Sequence, residues 1–267
     1  MLASPTVHAL RALFVSACLS LPVTAQSDNA RAELIEIATR QNLPPYVVDA
    51  AAHGIEIDLV KAIFRGTGYE PIFIQQPRVR MISAFENGQM NGILTQNIQA
   101  SDVGCATDWY IAHQNVAISL TSRNIKIGSL DDLMGLSVLS FSGATRYLGT
   151  EFQQAVAHTK RYTESGDQGK HIQLLYKRRF DAVIGDRWIL ALAQKSYFTE
   201  AGEYQELEYH PIMKPSLYVA RFHEQKICDA FNLGLRRLRA DGSYAEIWNG
   251  YRKSLAVMND SATTSQQ

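Results

Sequence analysis

The 267-residue chain balances 26 Lys and Arg against 26 Asp and Glu, and no run of basic residues is interleaved with aromatics, so nucleic acid is set aside as a partner. With 46% hydrophobic and 19% charged residues it can bury a sizeable core, as one large domain or as two lobes of about 120 residues each. After its first residues, no stretch approaches the run of about 18 apolar residues that a membrane span needs.

The amino terminus reads as a targeting segment. Arg11 precedes a run of apolar and small residues from Ala12 to Leu21, and Val23-Thr24-Ala25 offers small side chains to a signal peptidase. Removal of residues 1–25 and export of the remainder to the periplasm are expected. Val15-Ser16-Ala17-Cys18 loosely fits a lipoprotein site that would leave a lipid anchor on Cys18. Only Ala12 to Ala17 would precede that cut, so it ranks second. Cys105 and Cys228 remain after cleavage, either bonded or as two buried thiols, and spacing does not decide between them.

Leu34 to Ala38 predicts a first strand, followed by Asn42-Leu43-Pro44-Pro45-Tyr46, where two prolines forbid helix and central strand and fix an extended loop. Tyr46 in that loop could cover a ligand or plug the edge of the core. Leu59, Val60, Ile63 and Phe64 share one helical face, ended by Gly66 and Gly68. Pro71 to Ile74 predicts a strand, Arg78 to Asn87 a helix, and Met90 to Thr95 another strand. This alternation implies right-handed crossovers and a mainly parallel sheet.

A second α/β unit follows. Asn115 to Leu120 predicts a strand, and Ser129 with Asp132 resembles a capping box closed by Gly135. The strand Leu136 to Phe141 feeds the small-residue turn Ser142-Gly143-Ala144-Thr145 and a helix from Arg146 to His158. Backbone N–H groups at such a turn form an anion site, although many such turns are only turns. Phe180 to Asp186 is an apolar run closed by a carboxylate and followed by a helical pattern, which puts Asp186 at a strand's carboxyl end as the cap of the next helix. Asp186 is either that cap alone or also a ligand contact. Ser216 to Ala220 returns the chain, and helices are expected over Glu224–Ala240 and Ser243–Arg252. The predicted architecture is two α/β lobes joined by two crossing hinge strands near Val116–Leu120 and Ser216–Ala220. Residues 26–118 and 219–267 form the first lobe, and 119–218 the second.

Taken in order, these pieces resemble the bacterial periplasmic solute-binding proteins of the polar amino-acid type, extracellular solute-binding family 3. Pro44-Pro45-Tyr46 resembles the first ligand loop, Gly54 to Ile63 the Gly-aromatic-x-x-Asp-Leu helix, and Asn87 to Gly92 the Gly-x-x-Asp turn with Asn91 for Asp. Ser129 to Gly135 resembles the Ser-Leu-x-Asp-Leu-x-Gly segment, Ser142 to Thr145 the Gly-Thr-Thr turn, and Ala240 to Trp248 the carboxy-terminal signature. The resemblance implies a two-lobed, type II periplasmic-binding-protein-like α/β clamp, expected to be a monomer, that captures a small polar solute and presents it to an inner-membrane ABC permease. It implies that Asp186 meets the ligand's ammonium, and that Thr95 and the backbone of Gly143 to Thr145 meet its carboxylate. The arginine that the family places five residues beyond Thr95 is replaced by Ala100. Arg80 or Arg146, and behind them Arg78, could supply the missing cation, or the ligand has no carboxylate.

Two other readings use the same cleft. A periplasmic enzyme resembling cyclohexadienyl dehydratase would need a positioned acid or base, for which Glu164 or Asp186 could serve. A sensor partner would report the solute to a membrane receptor. The sequence contains no Gly-x-Ser-x-Gly, His-Glu-x-x-His, Cys-x-x-Cys or phosphate-loop motif, and His113, His158, His171, His210 and His223 are scattered. No turnover, no cofactor and no metal are expected.

Overall fold

Runs of β-branched and aromatic residues alternate with amphipathic helices, and a computed structural model shows how they assemble. It describes residues 1–3, 31–99 and 101–264, with side chains of the last helix given to Leu255. The expected signal peptide, Cys18 and the arginine vacancy at Ala100 lie outside the described residues. In chain order come β1 (Glu33–Arg40), α1 (Ile55–Phe64), β2 (Tyr69–Gln76), α2 (Arg78–Glu86), β3 (Gly92–Gln96), β4 (Cys105–Ala106), β5 (Ile111–His113) and β6 (Asn115–Leu120). They are followed by β7 (Ser137–Phe141), α3 (Ala144–Tyr147), α4 (Thr150–Ala157), β8 (Arg161–Ser165), α5 (Gly169–Tyr176), β9 (Ala182–Asp186) and α6 (Arg187–Ala201). The chain ends with β10 (Leu207–His210), β11 (Ser216–Phe222), α7 (Gln225–Ala240) and α8 (Ser243–Thr264).

The strands form two mixed sheets. The first runs β2-β1-β3-β11-β4, with β5 also paired to β11, and the second runs β10-β6-β9-β7-β8. In the first sheet β1 is parallel to β2 and β3, and β11 returns antiparallel. In the second, β7 is parallel to β8 and β9, while β6 is antiparallel to β9 and β10. Residues 32–267 form one compact unit that contains both sheets.

The first core joins α1 and α7 to the sheet through the fully buried Ile57, Ile63, Phe222, Phe231 and Leu235, each worth about 1.5–3 kcal/mol on burial. The helices approach so closely that a Cβ at Gly234 would lie 2.0 Å from the Ile63 carbonyl oxygen. The second sheet is sandwiched between two clusters, one around Ile118, Leu175 and Val183, the other around Val138, Phe152 and Ile184. Cys105 and Cys228 are joined in a disulfide with Cα atoms 6.4 Å apart, which ties β4 to α7 and corrects the alternative of two free thiols.

The observed elements differ from the expected ones at several places. Asn115 already pairs with Asp186 and Val116 with Gly185, while Ser216, Leu217 and Tyr218 pair with β5. The chain therefore passes from one sheet to the other at Gln114 and back between His210 and Ser216. The helix expected over 146–158 is broken into α3 and α4 at Gly149, whose φ of 89° and ψ of 177° suit only glycine. The last helix runs on to Thr264 because no stop residue interrupts it after Arg252.

Candidate functional site

A cavity of about 580 Å³ opens where the carboxyl ends of β1, β7, β8 and β9 meet, with residues of both sheets on its walls. This is the position where α/β folds leave room for a ligand. The first-sheet side contributes the loop from Arg40 to Pro44, Arg78, His113, Ser216 and Tyr218. The second-sheet side contributes Asn115, Ser142, Tyr147, Gln168, Asp186 and Ile189.

Asp186 is the last residue of β9, and its extended backbone (φ −65°, ψ 132°) makes it the N-cap of α6. Its Oδ1 accepts from the Trp188 N–H (2.9 Å), the Ile189 N–H (3.2 Å) and the Tyr46 hydroxyl (2.9 Å). Oδ2 is buried and has no hydrogen-bond partner among the described residues. Burial pushes the carboxyl up to about 6 against the opposing pull of the Tyr46 hydroxyl and of the Ile189, Trp188 and Gln114 amides. Asp186 is thus both cap and cavity wall, with one oxygen that no described donor fills.

Behind Asp186 stands a buried polar layer. Tyr46 is fully buried and stacks on His113 with ring centroids 4.0 Å apart, so it faces Asp186 from within the core and is not part of the cavity wall. The loop that carries it is a tight turn in which the Leu43 N–H donates to the Val47 carbonyl, rather than the extended segment expected from its prolines. Gly54 holds the turn in place: a Cβ there would lie 2.2 Å from the Tyr46 carbonyl oxygen. His113 does reach the cavity, and burial, with a smaller push from the Arg40 charge, holds its imidazole down to about 3, hence neutral at physiological pH.

Thr95 is also buried and off the cavity wall. Its φ of 55° is an uncommon, strained value for a β-branched residue. Hydrogen bonds hold it there: its N–H donates to the Tyr110 hydroxyl at 3.1 Å, and its Oγ1 donates to Glu56 Oε1 at 2.6 Å. The Tyr110 hydroxyl donates to the same Glu56 oxygen, and burial raises that carboxyl despite both hydroxyls.

The turn expected to take an anion already holds one. The Gly143 N–H donates to Glu164 Oε2 at 2.7 Å, and the Thr145 N–H and Oγ1 donate to Oε1 at 2.9 and 3.0 Å. The Tyr162 hydroxyl adds a fourth bond at 2.9 Å. Burial alone would raise Glu164, but the Thr145 and Gly143 amides and the two hydroxyls outweigh it and hold the carboxyl below its ordinary range. Gly143, whose φ of 82° gives the turn its left-handed step, and Thr145 are therefore engaged by the protein's own carboxylate and lie off the cavity wall.

The expected cations are rearranged as well. Arg80 is exposed and off the cavity, and Arg146 is exposed and lies over the Tyr147 ring at 4.7 Å. Arg78 does line the cavity and approaches the same ring from the first-sheet side at 5.6 Å. Sequence reasoning missed Arg40, which closes β1 opposite Gln76 and lines the cavity. The available signal was its place at the carboxyl end of a central parallel strand. Among the described residues no cluster of three or more His, Cys, Asp and Glu could hold a metal, and no helix is long and apolar enough to cross a membrane.

No curated protein matches the sequence significantly. Among solved structures the fold is similar to the GluR0 ligand-binding core complexed with L-glutamate (TM-score 0.64, 17% identity, 82% of this chain and 98% of that one). It is also similar to the amino acid ABC transporter substrate-binding protein AbpA from Streptococcus pneumoniae bound to L-arginine (TM-score 0.60, 17% identity, 83% and 95%). A third likeness is to the ancestral amino acid-binding protein AncCDT-1, a precursor of cyclohexadienyl dehydratase (TM-score 0.60, 15% identity, 82% and 95%). At these identities the likeness is one of fold. The sequence itself matches the family of bacterial extracellular solute-binding proteins, family 3, over residues 35–254. With two mixed α/β sheets meeting at one cavity and a family match that runs from β1 into α8, the chain belongs to the bacterial extracellular solute-binding proteins, family 3.

Proposed function

We propose that this protein is a periplasmic substrate-binding protein that captures an amino-acid-type solute and delivers it to an inner-membrane ABC transporter. The observation that carries this reading is the charge layout of the cavity. Arg40 and Arg78 stand on the first-sheet side, and Asp186, with its unpartnered Oδ2, stands on the second. Guanidinium groups suit a carboxylate, and a carboxylate suits an ammonium, so a zwitterion spanning the cavity meets an opposite charge on each wall. The two crossings at Gln114 and between His210 and Ser216 are short enough to let the walls close on it. Residues 1–25 would direct export and then be removed.

The test is calorimetry on protein stripped of retained solute, against a panel of amino acids, polyamines and small organic acids, with small-angle scattering on the tightest ligand. A Kd below about 10 μM, near −7 kcal/mol, and compaction on binding are expected. Failure of every solute to bind would remove the proposal. Enzyme-dependent release of aromatic product from prephenate or arogenate would replace it with the dehydratase reading.

A further inference from the structure

We infer that the cavity selects solutes of net negative charge, and that Arg40 is the residue that sets this preference. The inference rests on the solute-binding reading and adds the class of solute.

Three charged side chains line the cavity: Arg40, Arg78 and Asp186. Neither arginine forms an ion pair with any described acid. Arg40 is half-buried, lines the cavity and makes no hydrogen bond with a described residue, so its donors are uncommitted. The Arg78 guanidinium lies 5.6 Å from the centre of the Tyr147 ring. The other nearby acids lie off the cavity wall, although the Arg40 charge reaches the buried Glu56 carboxyl and opposes its rise. Glu164 is committed to the Gly143–Thr145 turn by four hydrogen bonds, and Glu56 is fully buried on Thr95 and Tyr110. His113, neutral at physiological pH, adds no charge.

With Asp186 ionised, the wall therefore carries one net positive charge. A neutral zwitterion uses one guanidinium and Asp186 and leaves the other guanidinium dehydrated without an anion as the cavity closes, which is costly. A solute with two acidic groups and one N–H donor fills all three positions. Because Glu164 saturates the turn amides, both acidic groups must turn to the guanidiniums. Arg40 lines the cavity from the carboxyl end of β1. Arg78 shares its site with Tyr147.

The experiment is calorimetric titration of stripped protein with L-glutamate, L-aspartate, L-glutamine, L-asparagine and L-arginine, repeated on Arg40→Gln and Arg40→Lys. The expected result is that one acidic amino acid binds at least about tenfold tighter than its amide and tighter still than L-arginine. Arg40→Gln should remove at least about tenfold of the acid's affinity and leave the amide within about threefold, abolishing the discrimination. Arg40→Lys, which keeps the charge, should retain most of it and shows that loss in Arg40→Gln is not loss of the fold. An amide or L-arginine binding as tightly as the acids, or equal losses for acid and amide in Arg40→Gln, overturns the inference and leaves the solute-binding reading standing. No binding of any solute to the wild-type protein overturns both.

Discussion

Asp186 and Glu164 offer a controlled comparison, because both are carboxylates at strand ends of one sheet and both accept backbone N–H groups at the start of a helix. Their availability is opposite. Glu164 spends both oxygens on four donors and lies off the cavity. Asp186 gathers three close donors on Oδ1, with a smaller pull from the Gln114 amide, and keeps Oδ2 buried with no hydrogen bond from a described residue. The environment registers the difference: burial wins at Asp186 and raises it to about 6, whereas hydrogen bonds win at Glu164 and lower it. A strand-end carboxylate is thus free for a ligand only when its lone pairs outnumber the local donors. The same holds in reverse for the turn, whose amides are open to an anion only if no residue of the chain has filled them.

The largest effect should come from Asp186→Asn. Asparagine still caps α6, so below about pH 5, where the wild-type carboxyl is protonated, the empty protein should melt within a few degrees of wild type. Solute affinity should fall by about 2–4 kcal/mol, roughly 30- to 1000-fold, because a buried ammonium would lose its charged partner. Unchanged affinity by calorimetry would reduce Asp186 to a cap and dissolve the contrast with Glu164.

The second effect concerns pH. The folded value of about 6 lies above the ordinary 3.8, so folding favours the protonated form, and its stabilising contribution is complete below about pH 4 and lost as pH rises through 6. The shift corresponds to about 3 kcal/mol. Urea unfolding of wild type and Asp186→Asn across pH 4 to 7 should show the wild type losing about that much stability relative to the variant. A constant difference would mean that the folded carboxyl titrates at its ordinary value.

The smallest effect should follow Glu164→Gln. Loss of the negative charge weakens bonds worth about 1.5–3 kcal/mol each when charge-assisted, but glutamine keeps one acceptor, so a net loss of about 1–2 kcal/mol in unfolding free energy is expected. Solute affinity should stay within about threefold. A marked gain in affinity would show that Glu164 competes with the solute for the turn and that the two carboxylates serve one site.

Much of this was legible in the sequence. The apolar run ending in a carboxylate, followed at once by a helical pattern, is a local signal, and it put Asp186 at a strand end as the cap of α6. The two α/β units followed from the same periodicities. The filling of the Gly143–Thr145 turn was hidden, because it depends on the parallel register of β7 and β8, which sets Ser140 beside Glu164 across 24 positions of chain. Arg40 was missed because the apolar alternation stops at Ala38, while pairing with β2 continues to Gln76. The Cys105–Cys228 bond spans 123 positions, and only folding brings its ends together. In each case the local pattern was sound, and the missing fact was a long-range pairing.

The most direct test is a crystal structure of the protein with its solute retained. The account predicts a solute donor within about 3.2 Å of Asp186 Oδ2, an acidic group of the solute on the Arg40 guanidinium, and Glu164 still seated on the Gly143 and Thr145 amides. A solute acid group bound to those amides, with Glu164 displaced and Asp186 Oδ2 untouched, would contradict it.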